Sequence, residues 1–508
     1  MGLWDELRLW GAYPKALYTF ESLQFGENST LYSMMQLYTP GLPLFGYFIT
    51  CFSSEFNENL LFFAYSFLGL LFMIPFTKYL KWEKWHNIFI MTFAIVFLPH
   101  FIYMYIHYVY YYQSLYVDAL LGICIGYCFW LANDNNYNDF FSSIKLLTAL
   151  TLPILLKDSG FFFSVICLLA SVLHLKESFK KKINYKVFIN VIMTISAVIL
   201  VYLSWKYIKK VHDINSTFVF VFDGTLLKSI LMTIKKLILS PIPYMIFMPL
   251  SIEFIYSIKT KNNTKTKNWL RIIRIIAYIV FVLGYVAVFR PSIYYETIFP
   301  SLNRYMGSIV LCELFIFAIS FAEFIEEKDF VDILSKTDSR RDLNAKKLIR
   351  VSTAAVLVII SILLIKGFRK FDGGIYEQAD EISEQIVEAS SVDNYDEVIN
   401  VYFVSQGIKA DDSLLHHRIY FNLIDDKILI KNFYNKVNIT KYGINITADE
   451  FASLLVSEHY DYVYLLNSNE EFTNSFSSIF GANLSSDTKN RIYRVDVKGD
   501  DARLVEVD

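Results

Sequence analysis

Long apolar segments alternate with short polar segments from about residue 60 to residue 365. Each apolar segment approaches the roughly 20 residues that a helix needs to cross a bilayer. The alternation predicts ten spans, at about residues 60–80, 88–106, 114–132, 144–156, 160–175, 188–205, 241–257, 273–289, 305–325 and 351–365. The segments at 144–156 and 160–175 are short, so a buried or re-entrant pair hinged at residues 157–160 is an alternative to two full spans.

Basic residues predict the orientation of these spans. Lys and Arg are abundant in the loops at 78–84, 176–186, 259–274 and 340–350. With ten spans all four loops fall on one side, which the positive-inside rule makes cytoplasmic. The segments predicted to face outward are residues 1–59, 107–113, the hinge at Lys157, 206–240, 290–304 and everything after the last span.

Two of the outward segments have the pattern of helices that lie in the membrane surface. Residues 42–53 are apolar but too short to cross a bilayer. Residues 206–240 alternate apolar stretches with Lys228, Lys235 and Lys236. A helix with one apolar and one basic face binds in the headgroup layer, so we expect interfacial helices in both segments.

The pattern changes after about residue 372. Stretches rich in β-branched and aromatic residues predict strands at 397–405, 418–430, 460–466 and 491–497. Thr447 and Glu450 form a capping-box signature that opens an apolar helix ending near Glu458. This part of the chain is therefore predicted to be a small soluble α/β domain.

Composition places the rest of the chain in a membrane. Hydrophobic residues make up 55% of the sequence and charged residues only 19%, with a mean hydropathy of +0.38. A soluble domain carries roughly a quarter charged residues, so a cytoplasmic enzyme, a nucleic-acid binder and a disordered scaffold are excluded. The net charge of −2 conceals a division, because residues 372–508 carry −14 and the remainder +12.

We therefore predict an α-helical polytopic membrane protein with a small C-terminal α/β extracytoplasmic domain. Its parts are a first external loop with interfacial helices (1–59), a transmembrane domain (60–370) and the soluble domain (371–508). Both the first loop and the soluble domain are expected outside the cell membrane. Richness in Asn, Lys, Ile, Tyr and Phe is typical of an AT-rich genome and hence of a bacterium, with the eukaryotic endoplasmic reticulum as the alternative.

Cysteine and histidine give no metal or disulfide framework. The five cysteines all lie in apolar segments, and Cys124 and Cys128, at i and i+4, are interpreted as small buried hydrophobes. His416 and His417 have no obvious third ligand, so we expect them on the surface of the soluble domain.

Candidate chemistry begins with carboxylates on the outer side. Asp5 and Glu6 lie among Leu and Trp residues, where an acidic pair would have perturbed pKa values and could act as a general base or metal ligand. Ordinary surface charge is the alternative.

Asp118 follows Tyr116 just inside the outer end of a span, where an ionisable group is a functional candidate by default. Capping of the helix end is the alternative for Asp118.

Two cations on the same side could bind an anion. Lys157 opens a small-residue hinge and could hold a lipid phosphate, or else pair with Asp158. Arg304 precedes Tyr305 at the outer start of a span, where it could bind phosphate bidentately or simply anchor in the headgroups. Residues 38–43, Tyr-Thr-Pro-Gly-Leu-Pro, form a rigid approach to the first apolar helix.

The order of these features resembles that of the GT-C glycosyltransferases, in the bacterial branch similar to protein O-mannosyltransferases and aminoarabinose transferases. The matching features are an external acidic pair, a Tyr-x-Pro-x-x-Pro segment, an Asp at the outer end of a later span, a Lys before a hinge, an Arg-Tyr before a late span and an extracytoplasmic C-terminal domain. The resemblance covers nearly all of residues 1–370 in layout.

The resemblance implies inverting transfer of a sugar from a polyprenyl-phosphate donor to a cell-envelope acceptor, which is a protein, lipid or glycan, at the outer face. Asp5 matches the acidic residue that acts on the acceptor hydroxyl, with Glu6 as its neighbour and orienter. Asp118 matches the second acidic position. Asp5 and Glu6 could ligate a divalent metal, although the sequence does not demand one, and no cofactor is assigned.

The same resemblance assigns the donor and substrate sites. Lys157 and Arg304 fall where the family binds the donor phosphate. The candidate substrate-binding residues are Tyr38, which opens the Tyr-x-Pro-x-x-Pro segment, Tyr116, which precedes Asp118 by two residues, and Tyr305, which follows Arg304. The expected partners are the lipid-linked donor, the bilayer and the envelope acceptor, with no nucleic acid.

One departure concerns the N-terminus. In this family the acidic pair follows a first transmembrane helix, whereas only residues 1–4 precede it here. We expect that this sequence lacks the family's first helix through N-terminal truncation, for example by a misassigned start codon. An in-frame apolar segment of about 20 residues upstream in the genomic DNA would support this hypothesis.

Two other functions stay open at the level of sequence. A flippase for polyprenyl-linked glycans should carry charged residues in mid-span along a continuous path, whereas most of the charges here sit at the outer edge. A polysaccharide polymerase or ligase of the envelope usually lacks a soluble domain of this size.

Overall fold

The computed structural model describes residues 6–23, 25, 35–79, 81, 92, 100, 114–178, 185–214, 223–259, 265–299, 301–327, 351, 355, 373–390, 398–405, 410–434, 440–441, 444–480, 484–498 and 501–507. They belong to two compact units. The first comprises Met1–Gln36, Gly46–Glu58 and Lys370–Asp508, and the second, called here the helical unit, comprises Leu37–Phe45 and Asn59–Arg369.

Helices dominate the described part of the chain. The α-helices are α1 (Ala12–Phe20), α2 (Gly41–Thr50), α3 (Glu58–Leu71), α4 (Val117–Asp134), α5 (Phe140–Leu156), α6 (Gly160–Ser178), α7 (Tyr185–Val211), α8 (Leu226–Ile238), α9 (Ile242–Lys259), α10 (Lys265–Tyr295), α11 (Leu302–Glu327), α12 (Gly373–Ser390), α13 (Ala410–Leu423), α14 (Ala448–Ser457) and α15 (Glu470–Phe480). A short π-helix at Glu6–Trp10 and 3₁₀ turns at Met35–Leu37 and Ile74–Tyr79 accompany them.

Several of these helices are able to span a membrane, which agrees with a multi-pass membrane protein. By length and composition they are α4, α7, most of α10 and most of α11, and the bent pair α8–α9 would make a fifth. α5 and α6 are shorter apolar helices, as the sequence predicts. The predicted spans at 88–106 and 351–365 lie almost entirely outside the described residues. The count of ten and the orientation therefore stay predictions.

Three segments refine the predicted boundaries. The span expected at 60–80 is helical only to Leu71, and Pro75 in the following 3₁₀ turn cannot donate the hydrogen bond that would extend an α-helix. α7 continues to Val211, so the predicted 206–240 loop begins later and contains α8. The helices expected in 42–53 and 206–240 are confirmed, and their place at the membrane surface stays a prediction.

α4 and α11 pack against each other through glycines of α4. A Cβ atom on Gly122 would lie 2.4 Å from the carbonyl oxygen of Ser308, and one on Gly126 would lie 2.8 Å from the Cβ of Phe315. Because Gly122 and Gly126 are four residues apart, they face the same side of α4 and let the backbones approach closely. This contact fixes the N-terminal halves of both helices relative to each other.

The predicted C-terminal α/β domain is confirmed. Its five-stranded sheet has the order β2-β1-β5-β6-β7, from β1 (Ile399–Val404), β2 (Ile428–Tyr434), β5 (Tyr462–Asn467), β6 (Lys489–Lys498) and β7 (Asp501–Glu506). A separate two-stranded sheet joins β3 (Thr440–Lys441) and β4 (Ile444–Asn445). β2, β1 and β5 are parallel, while β6 and β7 continue antiparallel.

Helices cover both faces of the larger sheet. Tyr402 contacts Phe451 of α14 on one face, whereas the next residue, Phe403, contacts His416 of α13 on the other. This alternation is what the strand period requires. The predicted capping box opens α14, since the Thr447 side chain accepts from the Glu450 N–H and the Glu450 carboxylate from the Thr447 N–H.

Two predictions for the C-terminal domain are wrong. The strand expected at 418–430 is helical as far as Leu423, because Ile419, Tyr420 and Phe421 are buried on a helix whose packing overrides their strand propensity. His416 and His417 are not on the surface, being 1% and 5% exposed. Burial, with His417 adjacent, lowers the pKa of His416 to about 3.

Candidate functional site

Asp118 lies at the centre of a buried charged cluster in the helical unit. It occupies the first turn of α4 and is 2% exposed. The Nζ of Lys157 lies 2.5 Å from its Oδ1, and the Nε of Arg304 lies 3.3 Å from its Oδ2. One carboxylate thus holds two cations that come from the α5–α6 hinge and from α11.

The backbone conformation of the hinge between α5 and α6 sets the position of Lys157. α5 ends at Leu156, Lys157 is extended, and the Gly160 N–H donates to the Lys157 carbonyl at 2.8 Å as α6 begins. A Cβ on Gly160 would lie 1.8 Å from the carbonyl oxygen of Pro153, so only glycine fits this turn. The small-residue hinge seen in the sequence is therefore a steric requirement.

The two adjacent charges of the hinge have different partners. Lys157 binds Asp118, whereas Asp158 accepts from the Trp205 indole N–H at 2.8 Å and from Lys209 at 2.6 Å, both on α7. The alternative in which Lys157 pairs with Asp158 is thus not what the structure contains. Because Asp158 binds two side chains of α7, Lys157 binds Asp118 of α4 instead of its sequence neighbour.

Arg304 reaches Asp118 because α4 and α11 are locked together at this level. The Ser308 hydroxyl, one turn after Arg304 on α11, donates to the Asp118 carbonyl at 2.7 Å. Gly122, one turn after Asp118, provides the close backbone contact described above. Removing either contact would change the distance between the guanidinium and the carboxylate.

Aromatic side chains surround the two cations. The Lys157 Nζ lies 4.4 Å from the ring centre of Tyr305, and the Arg304 Cζ lies 5.3 Å from that of Tyr116 and 5.4 Å from that of Tyr305. Tyr38 lies within electrostatic reach of Lys157. Ring faces at these distances attract cations, and they hold both charges in place.

The segment that carries Tyr38 is fastened to the end of α5. The Thr39 hydroxyl donates to the Leu155 carbonyl at 2.9 Å. A Cβ on Gly41 would lie 2.5 Å from the same oxygen. The Tyr-x-Pro-x-x-Pro segment therefore lies beside the hinge that presents Lys157.

Six of the predicted site residues come together in this cluster: Asp118, Lys157, Arg304, Tyr38, Tyr116 and Tyr305. Asp5 lies outside the described residues. Glu6 begins the π-helix at Glu6–Trp10, and the structure describes its backbone. The roles predicted for this acidic pair stay predictions.

Sequence reasoning missed a second buried charged cluster in the helical unit. Arg271 and Arg274 of α10 bind the Glu253 carboxylate at 3.1 and 2.6 Å, and the Arg274 Nε lies 3.4 Å from Glu313 of α11. Tyr278 donates to Glu313. The sequence did contain a sign of this cluster, because charged residues within apolar segments are energetically costly in a membrane and need partners.

The described residues contain no metal site of the usual kind. Among them, no group of three or more His, Cys, Asp or Glu side chains is placed to hold a metal ion. Asp5 and the side chain of Glu6 lie outside the described part of the chain.

Comparisons with known proteins give similarities in fold. No protein-family model and no curated protein matches the sequence. In structure the chain is similar to ArnT from Cupriavidus metallidurans in the apo state, at 10% identity and a TM-score of 0.48 over 100% of this chain and 94% of that one.

It is also similar to the Archaeoglobus fulgidus oligosaccharyltransferase in complex with Zn and sulfate, at 11% identity and a TM-score of 0.44 over 92% of this chain and 64% of that one. The chain is similar as well to AglB from that organism in complex with an inhibitory peptide and a dolichol-phosphate. The identity is 10% and the TM-score is 0.44, over 91% of this chain and 65% of that one. ArnT and AglB are members of the GT-C superfamily, the family that the order of motifs in this chain resembles.

Proposed function

We propose that this chain is a membrane glycosyltransferase that transfers a sugar from a polyprenyl-phosphate donor to a cell-envelope acceptor at the outer face. The observation that carries the proposal is the Asp118 cluster, in which the buried Lys157 and the largely buried Arg304 both lie against the Asp118 carboxylate. A lysine and an arginine that converge on one place suit an anion, and charge-assisted hydrogen bonds from these side chains are the usual means of binding phosphate.

Transfer would break the bond between the anomeric carbon and the phosphate oxygen as the acceptor hydroxyl attacks from the opposite side. Attack on that side inverts the anomeric configuration, and the hydroxyl proton passes to the carboxylate of Asp5, which Glu6 orients. The departing phosphate gains a second negative charge. Lys157 and Arg304 would stabilise that charge as it develops, because fixed cations in a dry site cost no reorganisation.

Asp118 has a supporting role in this proposal. Both of its oxygens face cations, so it holds Lys157 and Arg304 in position, and the proton is left to the Asp5–Glu6 pair. The rings of Tyr38, Tyr116 and Tyr305 would line the path of the sugar and supply hydroxyl groups to it.

The decisive experiment is a transfer assay in proteoliposomes with polyprenyl-phosphate sugars as donors. We compare the wild type with Asp5→Asn, Lys157→Met and the control Lys145→Met, an exposed lysine on α5. Sugar transfer that requires Asp5 and Lys157 but not Lys145 is the expected result.

Other outcomes discriminate among the functions. Transfer that survives Asp5→Asn would remove the base assignment and keep the reaction class. Movement of lipid-linked sugar across the bilayer without transfer would favour the flippase. Joining of whole oligosaccharides to one another would favour the polymerase or ligase.

A further inference from the structure

The ammonium group of Lys15 caps a helix of the C-terminal domain. Lys15 is 4% exposed and lies on α1. Its Nζ donates to the carbonyls of Phe421 and Asn422 at 2.7 and 3.3 Å and lies 2.8 Å from the Asp425 carboxylate. The last carbonyls of a helix have no intrahelical partner, so a cation there satisfies them and complements the helix dipole.

Other contacts fasten the same N-terminal segment to α13. The Lys15 Nζ also lies 4.4 Å from the ring centre of Phe421. Thr19 donates to Asp425 at 3.4 Å. The π-helix Glu6–Trp10 packs on α13, with Leu7 and Trp10 at most 2% exposed.

Residues 46–58 add a second attachment. Arg418 of α13 forms an ion pair with Glu58. Phe56 lies 6.0 Å from the Phe421 ring, and Tyr18 of α1 donates to the Ser53 carbonyl at 3.1 Å. The two N-terminal segments and α13 thus form one connected packing arrangement within the first compact unit.

We propose that α13 of the C-terminal domain is the platform that positions the Asp5–Glu6 segment, with Lys15 as the positioning residue. The inference rests on the proposed function, because it assigns the soluble domain a part in placing the base. Only eight residues separate Glu6 from Lys15, and the π-helix and α1 contain all of them except Gly11. A shift of Lys15 would therefore be passed to the acidic pair.

The buried charge of Lys15 favours a role in positioning α1 over one in apolar packing alone. Burial lowers the pKa of Lys15, and the Asp425 carboxylate opposes that shift. A methionine would fill the same space without the cost of removing an ammonium from water. A buried cation with directed hydrogen bonds instead specifies one register of α1 on the end of α13.

The test uses the full chain in proteoliposomes and in detergent. The variants are Lys15→Met, the conservative Lys15→Arg, Asp425→Asn and the control Lys489→Met, an exposed lysine of the same unit. Three quantities are measured: hydrogen exchange over residues 6–23, affinity for polyprenyl phosphate, and turnover. Lys157→Met serves as the reference for lost donor binding.

We expect Lys15→Met to speed exchange over residues 6–23 and to lower turnover about 10²-fold with donor affinity unchanged, because a small misplacement of a reacting group has effects of that size. Lys15→Arg should restore part of the turnover, and Asp425→Asn should give a weaker version of the same pattern. If Lys15→Met does not fold, Asp425→Asn carries the test, since its side chain is half exposed.

Faster exchange with unchanged turnover would overturn the positioning role, and unchanged exchange would overturn the docking itself. A wild-type chain that binds donor but transfers nothing would instead count against the proposed function. The exchange measurement still decides in that case whether α13 holds the N-terminal segment.

Discussion

Two buried charged clusters in the helical unit use the same residue types with different ion pairs. Among the described residues, the cluster around Asp118 pairs Lys157 and Arg304 with its carboxylate. The cluster around Glu253 sets Arg271 and Arg274 against two carboxylates, the second being Glu313. Each lies among apolar helices, so solvation by water does not explain the difference.

We interpret this difference as a division between structure and binding. The charges around Glu253 satisfy one another, and adding an anion to such a buried cluster would cost energy. The two cations that converge on Asp118 are the ones proposed to bind an anion. Ring faces of Tyr116 and Tyr305 hold these cations in place.

The largest effect is expected from unbalancing the Glu253 cluster. Arg274→Gln would leave Glu313 without its cation, and removing one partner of a buried pair costs about 3–5 kcal/mol. Thermal unfolding in detergent measures the loss, while the folded fraction should bind polyprenyl phosphate as the wild type does. The double variant Arg274→Met, Glu313→Met should recover most of the stability, because Arg271 and Glu253 remain as a pair. Failure of that recovery would show that the balance is not what matters.

The next effect is on binding, through the Asp118 cluster. Lys157→Met removes one of the two cations, and we expect donor binding and transfer to fall about 10²–10³-fold, the scale of losing one stabilising group in a preorganised site. Stability should change little, since Arg304 still faces Asp118. A large fall in unfolding temperature with donor affinity intact would reverse the roles assigned to the two clusters.

The members of the two clusters and their partners could be predicted only in part from the sequence. Asp118, Lys157 and Arg304 were identifiable because ionisable residues beside apolar spans are unusual. The partners of Asp158 were not, since Trp205 and Lys209 lie on a helix about 50 residues further on, and only packing selects them. Lys15 and Phe421 are 406 residues apart, and no local pattern links them.

Other errors had local causes. Residues 418–430 combine aromatic and β-branched types that favour strands, but the burial of one helix face decides their structure as far as Leu423. The Gly122-x-x-x-Gly126 spacing was visible in the sequence and would have predicted the close approach of α4 to a partner helix. It could not have named α11 as that partner.

A smaller effect should follow from widening the α4–α11 contact. Gly122→Ala places a Cβ 2.4 Å from the Ser308 carbonyl oxygen, and overpacking of this kind costs about 1–3 kcal/mol. Donor affinity should fall as well, because Arg304 moves with α11 away from Asp118. Gly284→Ala on α10 is the matched control, since its Cβ would meet nothing within 4 Å. Equal losses in both variants would mean that helix propensity, and not the contact, is being measured.

The smallest effect concerns the hinge that presents Lys157. Asp158→Asn keeps an oxygen for the Trp205 indole N–H but loses the ion pair with Lys209. A hydrogen bond to a charged group is worth about 1.5–3 kcal/mol at most, and Asp158 is half exposed, so solvent screening should leave roughly 1 kcal/mol, or about a fivefold weakening of donor binding. Exchange of the two charges, Asp158→Lys with Lys209→Asp, should restore much of the affinity if α7 aims the hinge through this pair. Should the exchanged variant bind no better than Asp158→Lys alone, Lys157 is held by Asp118 without help from α7, and the contacts within that cluster would be sufficient to explain its binding.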